Sequence, residues 1–163
     1  MVFIALGTQK FQCNRLLKEI DRLIEGRLLN EQVFAQRGYS DYEPKHYESV
    51  MFLDKEDYDE KIAQCSLVIS HSGVGTILSA VNHRKPVIVF PRLKKYKEHV
   101  DDHQLEIARA FEKKKLVLMY HEGDDMSELI EKSRSFPFGT YTSQRQKVID
   151  LIKIYLREEI GNV

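Results

Sequence analysis

Residues 69–104 read ISHSGVGTILSAVNHRKPVIVFPRLKKYKEHVDDHQ. A strand over Leu67 to Ser70 runs into a Gly-rich turn, a helix from about Gly75 to His83, a strand over Pro86 to Phe90 and a long polar loop. Proline fits the first position of such a strand, where no ladder N–H is lost. The order builds an anion cradle, because a helix N-terminus directly after glycines points free N–H groups and a positive dipole end at whatever sits in the turn.

The same alternation continues on both sides. Val2 to Leu6 reads as a buried first strand, and Leu16, Leu17, Ile20, Leu23 and Ile24 recur at helical spacing before Gly26, placed to end that helix. Short strands are expected at Gln32 to Gln36 and Ser49 to Leu53, with turns at Gly38 to Ser40 and Pro44, then a charged helix from Glu56 to Gln64. Beyond the quoted stretch come a helix over Asp101 to Glu112, a strand over Leu116 to Met119 and a helix over Asp125 to Ser133. A long last helix starts near Ser143, where Ser143 and Gln146 have capping-box spacing and Ile149, Ile152, Leu156 and Ile160 form a stripe. Alternating strand and helix predicts an α/β fold, a Rossmann-like parallel sheet with helices on both faces.

At 163 residues the chain reads as one domain over 1–163, with no linker, repeat or low-complexity tract to divide it. Acidic and basic residues balance at 25 each, so no global charge argues for nucleic acid or an anionic membrane. Cys13 and Cys65 have no companions to form a zinc set and read as reduced thiols. The apolar opening stops at Gly7 with no basic residues before it, which fits a strand better than a leader. No apolar run approaches the ~20 residues needed to cross a bilayer, so any membrane association is expected to come through a partner or a surface.

In such a sheet ligands bind outside the carboxyl ends of the strands. Three polar turns are expected there: Gly7-Thr8-Gln9, the turn from Gln36 to Ser40, and Ser70 to Thr76. In the third, Gly73 and Gly75 are expected to let backbone approach a ligand, with Ser72 and Thr76 as hydroxyl donors to a diphosphate. A dinucleotide fingerprint fails because Leu78 stands at the third glycine position, and no Walker A spacing is present. His71, Arg92, His99, His103 and Gln104 add a dense polar set around the same crevice. A metal reading of the three histidines is disfavoured, since they lie on separate elements without helical pairing.

At these residues the chain resembles a known family. His71-Ser-Gly-Val-Gly-Thr76, the strand Lys85 to Val89 followed by Pro91, and His99-x-Asp101-x-His103-Gln104 are similar to the C-terminal, donor-binding half of family 28 glycosyltransferases, which include the MurG-type enzymes. The opening Val2 to Thr8, Gln36-x-Gly38-Tyr39-Ser40 and Pro91-Arg92 bring the likeness closest to short PssE-type subunits of capsule and exopolysaccharide synthesis and their counterparts in dolichol-linked oligosaccharide synthesis. The resemblance implies one half of a GT-B enzyme that binds a UDP-sugar, inverts the anomeric centre and uses no metal or other cofactor. It also implies a separate membrane-anchored partner that brings a lipid-linked acceptor, and a cytoplasmic chain recruited to the membrane by that partner. Gly7, Thr8 and His71 to Thr76 are then expected at the donor phosphates, and His103 and Gln104 at the sugar hydroxyls. One departure stands out: many relatives carry Glu where this chain has Ser79, which bears on ribose recognition and keeps a non-catalytic accessory subunit as the alternative. An epimerase of related architecture carries both halves in one chain and fits this length poorly.

Transfer needs the leaving diphosphate stabilised and a base for the acceptor hydroxyl. The base is expected on the partner half; within this chain Arg92, for charge stabilisation, and His99 are the candidates. The basic loop Lys94, Lys95, Tyr96 and Lys97 is expected beside the crevice, as solvated surface or as a contact to an anionic substrate.

Overall fold

A computed structural model describes residues 1–142. The expected helix beyond Ser143, with its stripe and capping box, lies outside the described residues. Six strands form one sheet: β1 (Val2–Ala5), β2 (Val33–Gln36), β3 (Glu48–Val50), β4 (Leu67–Ser70), β5 (Val87–Val89) and β6 (Leu118–Met119). Every pairing is parallel and the order is β3-β2-β1-β4-β5-β6, so strand order reverses between β1 and β4.

The helices are α1 (Asn14–Glu25), α2 (Lys55–Gln64), α3 (Val74–Asn82), α4 (His103–Lys113) and α5 (Met126–Ser135). Period-two alternation on β1 divides the core. Val2, Ile4 and Leu6 face a cluster with Leu16, Leu17, Ile20 and Leu23 of α1 and Met126, Leu129 and Ile130 of α5. Phe3 and Ala5 face the other, with Ile62 of α2, Ile77 and Ala80 of α3 and Ala108 of α4. Helices therefore cover both faces, as the alternation predicts.

Boundaries differ from expectation for local reasons. Gly26 does cap α1, but at φ −77, and the left-handed conformation falls on Arg27 at φ 55. The β3 ladder ends at Val50, and Met51 and Phe52 continue as exposed loop. The last strand pairs only at Leu118 and Met119, opposite Ile88 and Val89 of β5. On α1, Asp21 is buried, accepting from Tyr42 Oη at 2.6 Å and from the backbone N–H of Lys45 and His46, which pins the β2–β3 connection. Cys13 and Cys65 are free and buried. Among the described residues no helix is long and apolar enough to cross a membrane.

Candidate functional site

The reversal between β1 and β4 puts the turn after Leu6 beside the turn after Ser70, and the side chain between them is His71. It is 5% exposed. An added Cβ at Gly7 would lie 2.7 Å from its Cε1, and one at Gly73 would lie 2.3 Å from its Nε2. Gly7 also takes φ +68, a region L side chains avoid. The imidazole is thus slotted between two glycine backbones, with Nδ1 3.3 Å from the Ala5 carbonyl, the contact of an Nδ1–H donor. Burial first, then the nearby positive charge of Arg92, pushes its pKa down to about 4, so the ring is neutral at pH 7.

This revises the expectation for the cradle glycines. The space a side chain at Gly73 would need belongs to His71. Gly75 is the open one: nothing lies within 4 Å of a Cβ built there. Gly38, at φ +58, is a third close approach, its Cβ position 2.8 Å from the Gly7 carbonyl oxygen.

Helix α3 opens on this floor with its N-terminus unsatisfied. Gly73 is the N-cap and supplies no side chain, and the first turn holds no acidic residue. The first backbone bond there is Ile77 N–H to Gly73 O, at 3.0 Å, and among the described residues no protein acceptor meets the N–H of Val74, Gly75 or Thr76. Below them Ser72 Oγ is sealed from solvent and has no hydrogen-bond partner among the described residues. A buried hydroxyl without a partner costs roughly 1–3 kcal/mol.

A crevice of about 450 Å³ lies over this terminus, bringing together Gly7, Thr8, Gln9, His71, Ser72, Gly73, Gly75, Thr76, His99, His103 and Gln104. It continues past Gly75 and Thr76 into a second lobe of about 320 Å³, walled by Gln36, Leu53, Asp54, Lys55 and Tyr58. The last four were not singled out from sequence. The only local signal is Asp54, whose side chain caps α2 by accepting from Asp57 N–H. A separate cavity of about 350 Å³ lies beyond β5 and β6, but two of its cations are already paired, Lys95 with Glu122 and Arg15 with Glu98.

Four expected ligand contacts have other work. Arg92 is fully buried, not a loop cation: Nη2 donates to Leu6 O and Phe11 O at 2.9 Å and Nε to Gln12 O at 3.2 Å. The chain leaving β1 turns these carbonyls inward, and a guanidinium with five donors satisfies them together. Ser40 is 1% exposed and its Oγ accepts from Cys13 N–H at 2.9 Å, closing the start of α1. Gln104 is 5% exposed, and its Oε1 accepts from Ser72 N–H and Arg92 N–H at 3.3 and 3.1 Å. It braces the cradle against the β5–α4 loop, leaving only its Nε2 for a ligand. Gln36, also buried, accepts from Leu53 N–H and so fixes the wall of the second lobe.

The loop itself is held by charge. Glu98 is 1% exposed, paired with Arg15 at 2.9 Å and accepting from Leu93 N–H. His99 packs on Phe11, ring centroids 4.6 Å apart, with Nδ1 2.9 Å from Asp101 Oδ1. His103 is exposed, beside Glu106. Of the basic loop, Lys95 and Tyr96 both bond Glu122. Among the described residues no cluster of three His, Cys, Asp or Glu is arranged to hold a metal ion.

The model of the glycosyltransferase family 28 C-terminal domain matches residues 1–153. Among characterised proteins, the chain is 27% identical over 113 residues to the UDP-N-acetylglucosamine transferase subunit ALG13 of Yarrowia lipolytica, covering 66% of this chain and 56% of that one. The subunit of the same name from Candida albicans is 34% identical over 73 residues, 45% of this chain and 24% of the relative. The chain therefore spans about half the length of the first relative and about a quarter of the second. Among solved structures it resembles the MurG of Acinetobacter baumannii, with TM-score 0.58 and 17% identity over 92% of this chain and 49% of that one. It also resembles the glycotransferase of kitacinnamycin, with TM-score 0.62 and 14% identity over 83% of this chain and 35% of that one. At these identities the structures speak for the fold, a Rossmann-like half of the GT-B kind.

Proposed function

Since the chain belongs to the glycosyltransferase family 28 C-terminal domain family, we propose that it is the donor-binding, catalytic subunit of an inverting two-component glycosyltransferase. In this reading it moves a hexose from a UDP-sugar to a lipid-linked oligosaccharide in polysaccharide biosynthesis. The observation that carries the reading is the unsatisfied start of α3: three free N–H groups and a sealed, partnerless Ser72 hydroxyl around an open position at Gly75.

A diphosphate suits that terminus. Its oxygens meet the free N–H groups and the positive dipole end, which also stabilise the charge that builds as the sugar leaves. With the diphosphate there, the second lobe at Leu53, Asp54 and Tyr58 takes the nucleoside, and the wall carrying His99 and His103 faces the sugar. The fixed N–H groups do the work a metal would otherwise do, so transfer is expected to survive EDTA. Relatives named as subunits of a UDP-N-acetylglucosamine transferase support both a UDP-sugar donor and a partner. The partner is membrane-anchored, presents the acceptor and recruits this chain to the cytoplasmic face.

Titration with UDP tests the donor half of the reading, and transfer from UDP-N-acetylglucosamine by the chain co-purified with its partner tests the whole. Absence of UDP binding by both the isolated chain and the pair would leave the second reading, a non-catalytic accessory subunit. Ser79 favours that alternative: a half-buried neutral hydroxyl on α3 is a weaker partner for ribose than a carboxylate.

A further inference from the structure

Arg92 carries a charge that nothing beside it cancels. Its side chain is fully buried, and the groups it donates to are carbonyl oxygens, those of Leu6 and Phe11 at Nη2 and that of Gln12 at Nε. Among the described residues it forms no ion pair, and Nη1, sealed from solvent, has no hydrogen-bond partner. Glu98, the buried acid whose charge it feels, is committed elsewhere. Its two oxygens meet Arg15 Nε and Nη2 at 3.2 and 2.9 Å, and one of them also accepts from Leu93 N–H. Two guanidiniums and one carboxylate leave one positive charge over.

The crevice is in the opposite condition. Among the described residues no Lys or Arg lines the part over α3, and the second lobe has Lys55, whose side chain is 89% exposed and paired with Asp59. Crevice and buried cation are neighbours. Leu6 O, which takes one Arg92 bond, belongs to the peptide that enters Gly7, and Gly7 lines both lobes. The N–H groups of Arg92 and Ser72 converge on the same Oε1 of Gln104, which ties the Arg92 backbone to the cradle. The charge is felt on the crevice floor, where burial first and then Arg92 hold His71 neutral. A cation sealed in the interior without a counter-charge is costly, and it attracts an anion across a dry wall more strongly than it would in water.

We propose that Arg92 is the counter-charge of the donor diphosphate, acting through the crevice floor as a positioning residue without touching the ligand. The inference rests on the donor-binding reading above and gives the cation of the site to a side chain that never reaches the surface. The free N–H groups of α3 then fix where the phosphates lie, and Arg92 sets how much negative charge the site accepts. Such a site discriminates by phosphate charge, holding UDP above UMP and UMP above uridine.

Titration of UDP, UMP and uridine into the chain co-purified with its partner tests this. Arg92→Gln removes the charge and should weaken UDP by ~10–100-fold and UMP by less, with uridine within about twofold. Arg92→Lys keeps the charge but gives up the guanidinium fork. It should lower Tm while holding the UDP-to-uridine preference within about threefold of wild type. Equal weakening of all three ligands by Arg92→Gln marks a structural residue and overturns the proposal. So does unchanged UDP affinity, or an Arg92→Lys variant that loses the preference. Should Arg92→Gln not fold, the salt dependence of the wild type decides. Its UDP-to-uridine preference should fall by less than about threefold between about 0.05 and 0.5 M salt, because a buried charge is poorly screened. A larger fall would give the role to exposed lysines such as Lys10 and Lys55 and overturn the proposal. A wild-type pair that binds none of the three ligands overturns the donor-binding reading itself, and this inference with it.

Discussion

Helices α3 and α5 begin in opposite ways. At α5, Asp125 accepts from Ser127 N–H at 2.7 Å and from Glu128 N–H, and Glu128 adds a second acid to the first turn. At α3 the cap is a glycine, no acid follows, and a hydroxyl beneath is left without a partner. Helix α2 follows α5, with Asp54 as its cap. Capping is worth ~1 kcal/mol. Helices α1 and α4 also lack a side-chain N-cap bond, but there a nearby side chain accepts the first helical N–H, Gln12 at Asn14 and Asp101 at His103, so among the five described helices α3 alone starts with none met, a cost that needs a reason. The reason offered here is an anion that completes α3.

The comparison breaks most sharply at its floor. Gly73→Ala drives a methyl to 2.3 Å from the His71 ring. UDP binding should be lost, and stability should fall by roughly 1–3 kcal/mol, read from urea unfolding and titration together. A variant that still binds UDP normally would separate the His71 slot from the cradle.

His71 itself gives a stability effect of similar size, through pH. Its native pKa of about 4 lies below an ordinary imidazole's, so between roughly pH 6.5 and 4 the unfolded chain binds the proton that the folded one refuses. Stability contributed by the neutral ring is complete above that window and is lost on acidification through it, by about 3 kcal/mol in all. His71→Asn should flatten this slope in unfolding curves measured at stepped pH; an unchanged slope would mean the ring takes up its proton without leaving the slot.

Giving α3 what α5 has is the direct exchange. Val74→Asp, at an exposed first-turn position, should leave Tm equal or slightly higher, while repulsion weakens UDP by roughly tenfold, about 1.4 kcal/mol. Unchanged affinity would place the diphosphate elsewhere. The reverse exchange is the smallest: Asp125→Ala should lower stability by about 1 kcal/mol and leave UDP affinity alone.

Much of this was legible in the chain because local pattern and tertiary arrangement agree. The apolar run at Val2 to Leu6 alternates between two clusters, and the turns at Gly7 and Ser70 to Thr76 meet because β1 and β4 are neighbours. Arg92 and Gln104 were harder. Their partners are backbone groups brought near by folding, such as Leu6 O, 86 residues away, and a backbone carbonyl leaves no mark in a sequence. The pairing of Glu98 with Arg15 spans 83 residues and is equally silent. The second lobe was missed because Leu53 and Tyr58 read as an ordinary strand end and helix face, and nothing local marks them as lining one cavity.

The seam between β1 and β4 also fixes when the site comes into being. Its two turns are about 65 residues apart in the chain, as the bond from Ser70 Oγ to Ala5 O shows, and Gln104 closes the cradle from further on still. During synthesis the first three strands can pair without forming any part of the α3 terminus. Closure of that long loop is entropically slow, so the crevice belongs to the later stage of folding. A ligand bridging the seam would touch chain from both halves of the sheet at once, so its binding would depend on β1 and β4 being paired.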